Sequence, residues 1–190
     1  MTDTKKIMIV GVGGQGTLLA SRILGNTVIH EGYDVKLSEV HGMSQRGGSV
    51  VTYVKYGQKV YSPIIGKGEA DIILAFELLE AYRALPYLKE GGKIIVNTQQ
   101  INPMPVIIGA AEYPQDIADK IKNKANLIAV DALSLAKQAG NIKAVNVVLI
   151  GMLAKSSEIA KDSWIETLRT TVPAKFLDVN LKAFELGYNH

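Results

Sequence analysis

Six residues constrain this chain more than any others. Gly11-Val12-Gly13-Gly14-Gln15-Gly16 stands between an apolar run, Lys6–Val10, and a segment, Thr17–His30, with apolar residues at helical spacing. This is G-x-G-x-x-G at a strand-to-helix junction. Glycine closes such a turn tightly, admits backbone close to a ligand, and leaves the first helix amides and the helix dipole facing an anion. Sheet topologies that begin this way are parallel, with helices packed on their faces.

The rest of the chain continues the pattern. Leu19, Ile23 and Val28 share one face of the first helix, with Arg22 and Asn26 off it. A second strand is expected over Val35–Ser38, after the turn at Glu31-Gly32. Val50–Tyr56 and Lys59–Ile65 alternate about Gly57-Gln58 and predict a β-hairpin. Ala70–Ala75 reads as a buried strand and Glu77–Leu88 as a helix that must accommodate Pro86. Gly91-Gly92 turns the chain into a strand at Lys93–Val96, and Pro103 and Pro105 punctuate a connection before the apolar run Val106–Ile108. Leu127–Val130 is the last strand. Helices are expected over Gln115–Asn123, Leu133–Ala139, Val145–Ser156, Ser163–Thr170 and Ala174–Leu186. The fold class is α/β: Rossmann-like, a mostly parallel sheet with helices on both faces and an inserted antiparallel β-hairpin. With no repeat or linker, residues 1–190 read as one domain.

Composition narrows the function. The net charge is only +3 and no dense Lys/Arg block is present, which argues against nucleic acid. There are no cysteines, so disulfides, a thiol nucleophile and thiolate-ligated metal or iron–sulfur centres are excluded. The longest apolar stretch, Val145–Ala154, is too short to span a bilayer. Lys5 and Lys6 before the first strand mimic a signal peptide but no small-residue cleavage site follows. A cytoplasmic protein without a membrane partner is expected.

The glycine turn alone fits a nucleotide site. Glu39, 23 positions beyond Gly16, stands where an acid would grip a ribose hydroxyl. Against this, little chain remains for a substrate domain, and the three histidines, one of them the final His190, offer no convincing hydride-transfer partner. The same turn also serves many α/β proteins simply to pack helix on strand. His30 reads as a helix-end residue without a chemical role.

A second segment is richer. Glu39-Val40-His41-Gly42-Met43-Ser44-Gln45-Arg46-Gly47-Gly48-Ser49 follows the second strand, on the same sheet edge as the first turn. Glycines around Arg46 free the backbone to expose amides, and the guanidinium can take a carboxylate or phosphate bidentately. His41, Ser44 and Gln45 are natural polar contacts. The bland reading is a surface loop with a solvated arginine and a capping serine.

Together, GVGGQGTLLASRILG (Gly11–Gly25) and EVHGMSQRGGSV (Glu39–Val50) resemble the gamma-type subunit of 2-oxoacid:ferredoxin oxidoreductases. Within that group the chain is most similar to small, or beta, subunits of the indolepyruvate branch. The resemblance runs nearly full length, through ADIILAFELLEAYRALPYL, GGKIIVNTQ and NVVLIGMLA. It implies an enzyme subunit, inactive alone, that helps oxidatively decarboxylate a 2-oxoacid to an acyl-coenzyme A with ferredoxin reduction. It implies no cofactor bound by this chain alone. Thiamine diphosphate with magnesium, and [4Fe–4S] clusters, would belong to a large partner subunit, with coenzyme A and ferredoxin meeting the complex. Two loops would face that partner's active site: Gly11, Gly13, Gly14, Gln15, Gly16 and Thr17, then Glu39, His41, Gly42, Ser44, Gln45, Arg46, Gly47 and Gly48. None is expected to make or break bonds or to hold a metal. Tyr53, Tyr56 and Tyr61 are candidates either for the docking surface or for packing on the chain's own helices. The alternatives are a free-standing NAD(P)- or nucleotide-binding enzyme and a module that senses an acyl-coenzyme A.

Overall fold

The apolar runs assemble into one six-stranded sheet. The structure, a computed structural model, describes residues 4–40 and 47–190. The strands are β1 (Lys5–Val12), β2 (Asp34–Val40), β3 (Ser49–Gly57), β4 (Ala70–Ala75), β5 (Leu88–Asn97) and β6 (Asn126–Val130), in the order β2-β3-β1-β4-β5-β6. β1, β4, β5 and β6 are parallel, whereas β3 lies antiparallel between β1 and β2. Side-chain alternation explains why β1 is apolar on both faces: Ile7 and Ile9 enter one core, Met8 and Val10 the other.

The helices are α1 (Thr17–His30), α2 (Leu78–Ala84), α3 (Met104–Ile107), α4 (Ile117–Lys122), α5 (Ala132–Ala139), α6 (Val145–Lys155), α7 (Lys161–Thr171) and α8 (Leu177–Tyr188). α2 and α4 cover one sheet face through Leu78, Leu79, Ile117 and Ile121. α1, α5 and α6 take the other, with α7 and α8 stacked outside and contributing Trp164, Leu168 and Phe184. α6 is the run of Val145–Ala154, buried on every side, which is why its sequence is apolar all round. No helix among the described residues is long and apolar enough to cross a membrane.

α5 shows how polar residues set the boundaries. The Asp131 carboxylate accepts from the Ser134 amide at 3.0 Å and its hydroxyl at 2.6 Å, and Gly140 ends the helix in the left-handed region. The Ser134 hydroxyl, then its amide, hold the Asp131 carboxyl below the ordinary carboxylate range. A lowered value means the cap is complete above the ordinary range and is lost as pH falls through the lowered one. Asp131→Ala is therefore expected to cost about 1 kcal/mol in thermal unfolding at neutral pH. That gap between variant and native chain should close in strong acid.

Two expectations require correction. The antiparallel hairpin is β2–β3, not a pairing of Val50–Tyr56 with Lys59–Ile65. Both edges of β3 are already occupied, and Pro63 removes a ladder donor from the second segment. Lys59–Ile65 instead crosses as a strap: the Val60 amide donates to Asp34 at 2.9 Å, Lys55 Nζ to the Ile64 carbonyl at 2.5 Å, and Val60 and Ile65 are buried. The helix expected to reach Leu88 stops at Ala84, because Pro86 closes it in a 3-10 turn and Leu88 starts β5. Gly91-Gly92 accordingly lies inside β5, at a shift of register against β4, rather than before it.

The tyrosines separate. Tyr56 is buried edge-to-face on Tyr33 at 5.5 Å, and burial pushes its phenol up to about 12. Tyr53 packs half-buried against the α2 core, while Tyr61 on the strap is 88% exposed.

Candidate functional site

β1 is the switch point of the sheet, with β3 and β2 to one side and β4, β5 and β6 to the other. Ligands in open α/β sheets bind beyond the carboxyl ends of the strands at such a point. The first glycine motif lies there. Gly16 takes φ 85° and starts α1 with no side-chain cap and no acid in the first turn. The helix amides and dipole are thus left for an anion.

A cavity of about 330 Å3 opens beside this turn. Gly13, Gly14, Gly16, Thr17 and Leu18 form its backbone-rich wall; Val40, Val50, Val51 and Thr52 form the apolar one. Gly13 donates to the Gly48 carbonyl at 2.9 Å, so the glycine turn and the exit of the second motif are hydrogen-bonded to each other. Among the expected site residues, Gly13, Gly14, Gly16 and Thr17 line the cavity, and Gly47 and Gly48 lie in the turn immediately before β3. His41, Gly42, Ser44, Gln45 and Arg46 lie outside the described residues.

Three expected residues are spent on the scaffold. Gln15 accepts from the Val12 amide at 2.7 Å and donates to the Phe76 carbonyl at 3.0 Å, bracing the turn instead of reaching outward. Gly11 is buried under this bracing: a Cβ there would sit 2.9 Å from both Gln15 Oε1 and Phe76 Cβ. Glu39 accepts from the hydroxyl of the buried Ser21 at 3.0 Å, tying β2 to α1. Because β3 is interposed, Glu39 also sits two strands from β1, roughly 10 Å away by strand spacing. A ribose-binding acid belongs on the strand next to β1, so the geometry does not fit NAD.

A profile of the family described as pyruvate ferredoxin/flavodoxin oxidoreductase matches residues 6–190. The chain belongs to that family. It is similar to indolepyruvate oxidoreductase subunit IorB of Thermococcus kodakarensis, at 46% identity over 187 residues, which cover 95% of this chain and 93% of the relative. Its fold matches pyruvate oxidoreductase subunit PORC from Thermotoga maritima, with TM-score 0.75 and 19% identity over 100% of this chain and 97% of that one. It also matches a 2-oxoglutarate:ferredoxin oxidoreductase from Magnetococcus marinus, whose structure holds 2-oxoglutarate, coenzyme A and succinyl-CoA. There the TM-score is 0.76 at 18% identity, over 100% of this chain and 31% of that one.

Sequence reasoning missed the buried polar residues beneath the edge of this oxidoreductase-family module. Asn97 donates to the Phe76 carbonyl at 3.1 Å and accepts from the Ala132 amide at 3.2 Å, stitching the ends of β4, β5 and β6 together. Asn146, at the start of α6, donates to the Gly16 carbonyl at 3.3 Å. Glu77, only 1% exposed, caps α2 by accepting from the Glu80 amide at 2.9 Å. Its other oxygen accepts from the Ile101 amide at 3.0 Å and the Tyr113 hydroxyl at 2.6 Å. Burial first, and then the Glu77 carboxylate, hold the Tyr113 phenol well above its ordinary range, so it stays a donor. The available signal was an acid two residues past a buried strand, followed three residues later by another: Glu77 and Glu80.

Proposed function

We propose that this chain is the small subunit of an indolepyruvate-type 2-oxoacid:ferredoxin oxidoreductase and acts in the cytoplasm as one gamma-type module. The observation that carries the reading is the near-full-length likeness to an IorB subunit. The complex converts a 2-oxoacid and coenzyme A to an acyl-coenzyme A and carbon dioxide, passing two electrons to ferredoxin. Thiamine diphosphate with magnesium supplies the carbanion chemistry, and iron–sulfur clusters the electron path, on the large partner subunit. A chain without cysteine has no thiolate to hold a cluster itself.

The work left to this chain is binding and positioning. The uncapped start of α1 and the amides of the glycine turn offer a hold for a carboxylate or phosphate at the carboxyl edge of the sheet. Val40, Val50 and Val51 give the same cavity an apolar side. By the family resemblance, Arg46, two residues before Gly48 in the sequence, would add a bidentate cation, with His41, Ser44 and Gln45 as polar contacts. In the assembled enzyme, Arg46→Ala is expected to raise the KM for the 2-oxoacid or for coenzyme A about 10-fold, the size of a lost charge-assisted hydrogen bond. Unchanged KM values for both would remove Arg46 from the site. A tagged chain purified anaerobically should bring down a large brown partner and support 2-oxoacid-dependent dye reduction. A colourless chain that comes down alone and binds NAD(P) would overturn the reading.

A further inference from the structure

We infer that Glu80 is a positioning residue: through the hydroxyl of Ser49 it holds the start of β3, and with it the Val50–Val51 wall of the cavity beside the glycine turn. The inference rests on the reading of that cavity as part of the enzyme's substrate-binding edge.

Glu80 sits on α2, only 4% exposed. A carboxylate that deep persists only where its oxygens are taken up by donors. They are divided between two elements. One accepts from Arg83 Nη1 at 2.5 Å, one turn further along α2; the other accepts from Ser49 Oγ at 2.6 Å, on β3. The first bond neutralises the charge locally. The second crosses to a strand 31 residues away, at its first residue, and no need of α2 accounts for it.

Ser49 is the rung next to the glycine turn. It pairs with Val12, and its neighbour Gly48 accepts from the Gly13 amide at 2.9 Å. The start of β3 is therefore held along its edge by the glycine turn and on its α2 face by Glu80. The anchor is itself fixed, because Glu77 caps the first turn of α2 and is gripped by Ile101 and Tyr113. Removing the Ser49–Glu80 bond leaves Ser49 and Val50 to their pairing with Val12 and Gly11 on β1, because among the described residues the ladder with β2 begins only at Val51. A binding wall must be held to about 0.5 Å to keep its fit.

The test uses the assembled oxidoreductase with its large partner. Glu80→Met keeps length and burial but removes both acceptors, Ser49→Ala removes the donor, and Glu80→Gln retains a group for each partner. Val50→Ala, in the wall itself, is the reference that shows which substrate the cavity serves. Glu80→Met and Ser49→Ala are each expected to raise the KM of that substrate about 10-fold with kcat within about 2-fold. The double variant should be no worse than either single, and Glu80→Gln should restore most of the loss. Ser49→Ala deletes a surface hydroxyl, so the test survives if Glu80→Met does not fold. Multiplying effects in the double variant, or loss of stability without a change in KM, would overturn the latch while Val50→Ala still reports on the cavity. A Val50→Ala enzyme with both KM values unchanged would overturn the cavity reading and the latch with it.

Discussion

Alanine at Gly187 is expected to lower the midpoint of thermal unfolding by roughly 10 °C, from a destabilisation of about 3 kcal/mol. Gly187 on α8 lies against α6 so closely that an added Cβ would run into the Val148 carbonyl oxygen. The contact is reciprocal: a Cβ at Gly151 on α6 would meet the Phe184 carbonyl oxygen and, at 2.8 Å, the Tyr188 amide nitrogen. The opposing atoms are backbone, so no rotamer change relieves them and the helices must part. Parting them uncovers α6, whose residues Val145–Ala154 are all buried, and loosens Phe184 in the same core. Gly25→Ala is the control. Gly25 is also helical, in α1, but an added Cβ there meets nothing within 4 Å. Helix propensity should make that variant neutral or up to about 1 kcal/mol more stable. Equal midpoints for Gly187→Ala and the native chain would mean that α6 and α8 do not cross at this distance.

Gly16→Ala should have the larger effect on activity. Gly16 takes φ 85°, a conformation that costs a side-chain-bearing residue about 1–2 kcal/mol. A Cβ would also lie 2.7 Å from Asn146 Nδ2, and Asn146 is the residue that bonds the Gly16 carbonyl. The turn must then move, carrying with it the start of α1 and the Gly13–Gly48 bond that joins the two loops. Displacing a binding edge by about 1 Å can cost 10²-fold, and the assembled oxidoreductase should lose about that much kcat/KM. Adding Asn146→Ala removes the clash but not the backbone penalty. The double variant should therefore regain part of the lost stability and little of the activity. Full activity in Gly16→Ala would mean that this turn is not at the working edge of the complex.

Local chemistry made much of the fold legible. The residues of α1 and β4 coincide with the segments expected from apolar periodicity, because α1 carries one helical pattern opening after Gly16 and β4 one short apolar run opening after Glu69. The paired glycine motifs carried the family resemblance for a similar reason: they are contiguous local runs, readable without the rest of the fold. The misplaced hairpin shows where this stops. Val50–Tyr56 and Lys59–Ile65 both alternate as strands do, but a strand needs a free edge, and β1 and β2 had taken both edges of β3. Edge occupancy is a property of the assembled sheet and leaves no mark on the segment that loses the competition.

The candidate site divides along the same line. Sequence alone determined an α/β chain with a glycine turn at a strand end and no thiol with which to hold a cluster. It also determined membership in the oxidoreductase family, since the motifs that carry it are contiguous. Only the tertiary structure decided which polar residues face outward. Gln15 and Glu39 turn inward because Phe76 and Ser21, distant in sequence, present a carbonyl and a hydroxyl at the right separation. Glu80 becomes a brace for β3 only because the sheet sets Ser49 against α2. A hydrogen bond is decided by distance and direction between two groups, and for pairs far apart in the chain those exist only once the core has packed.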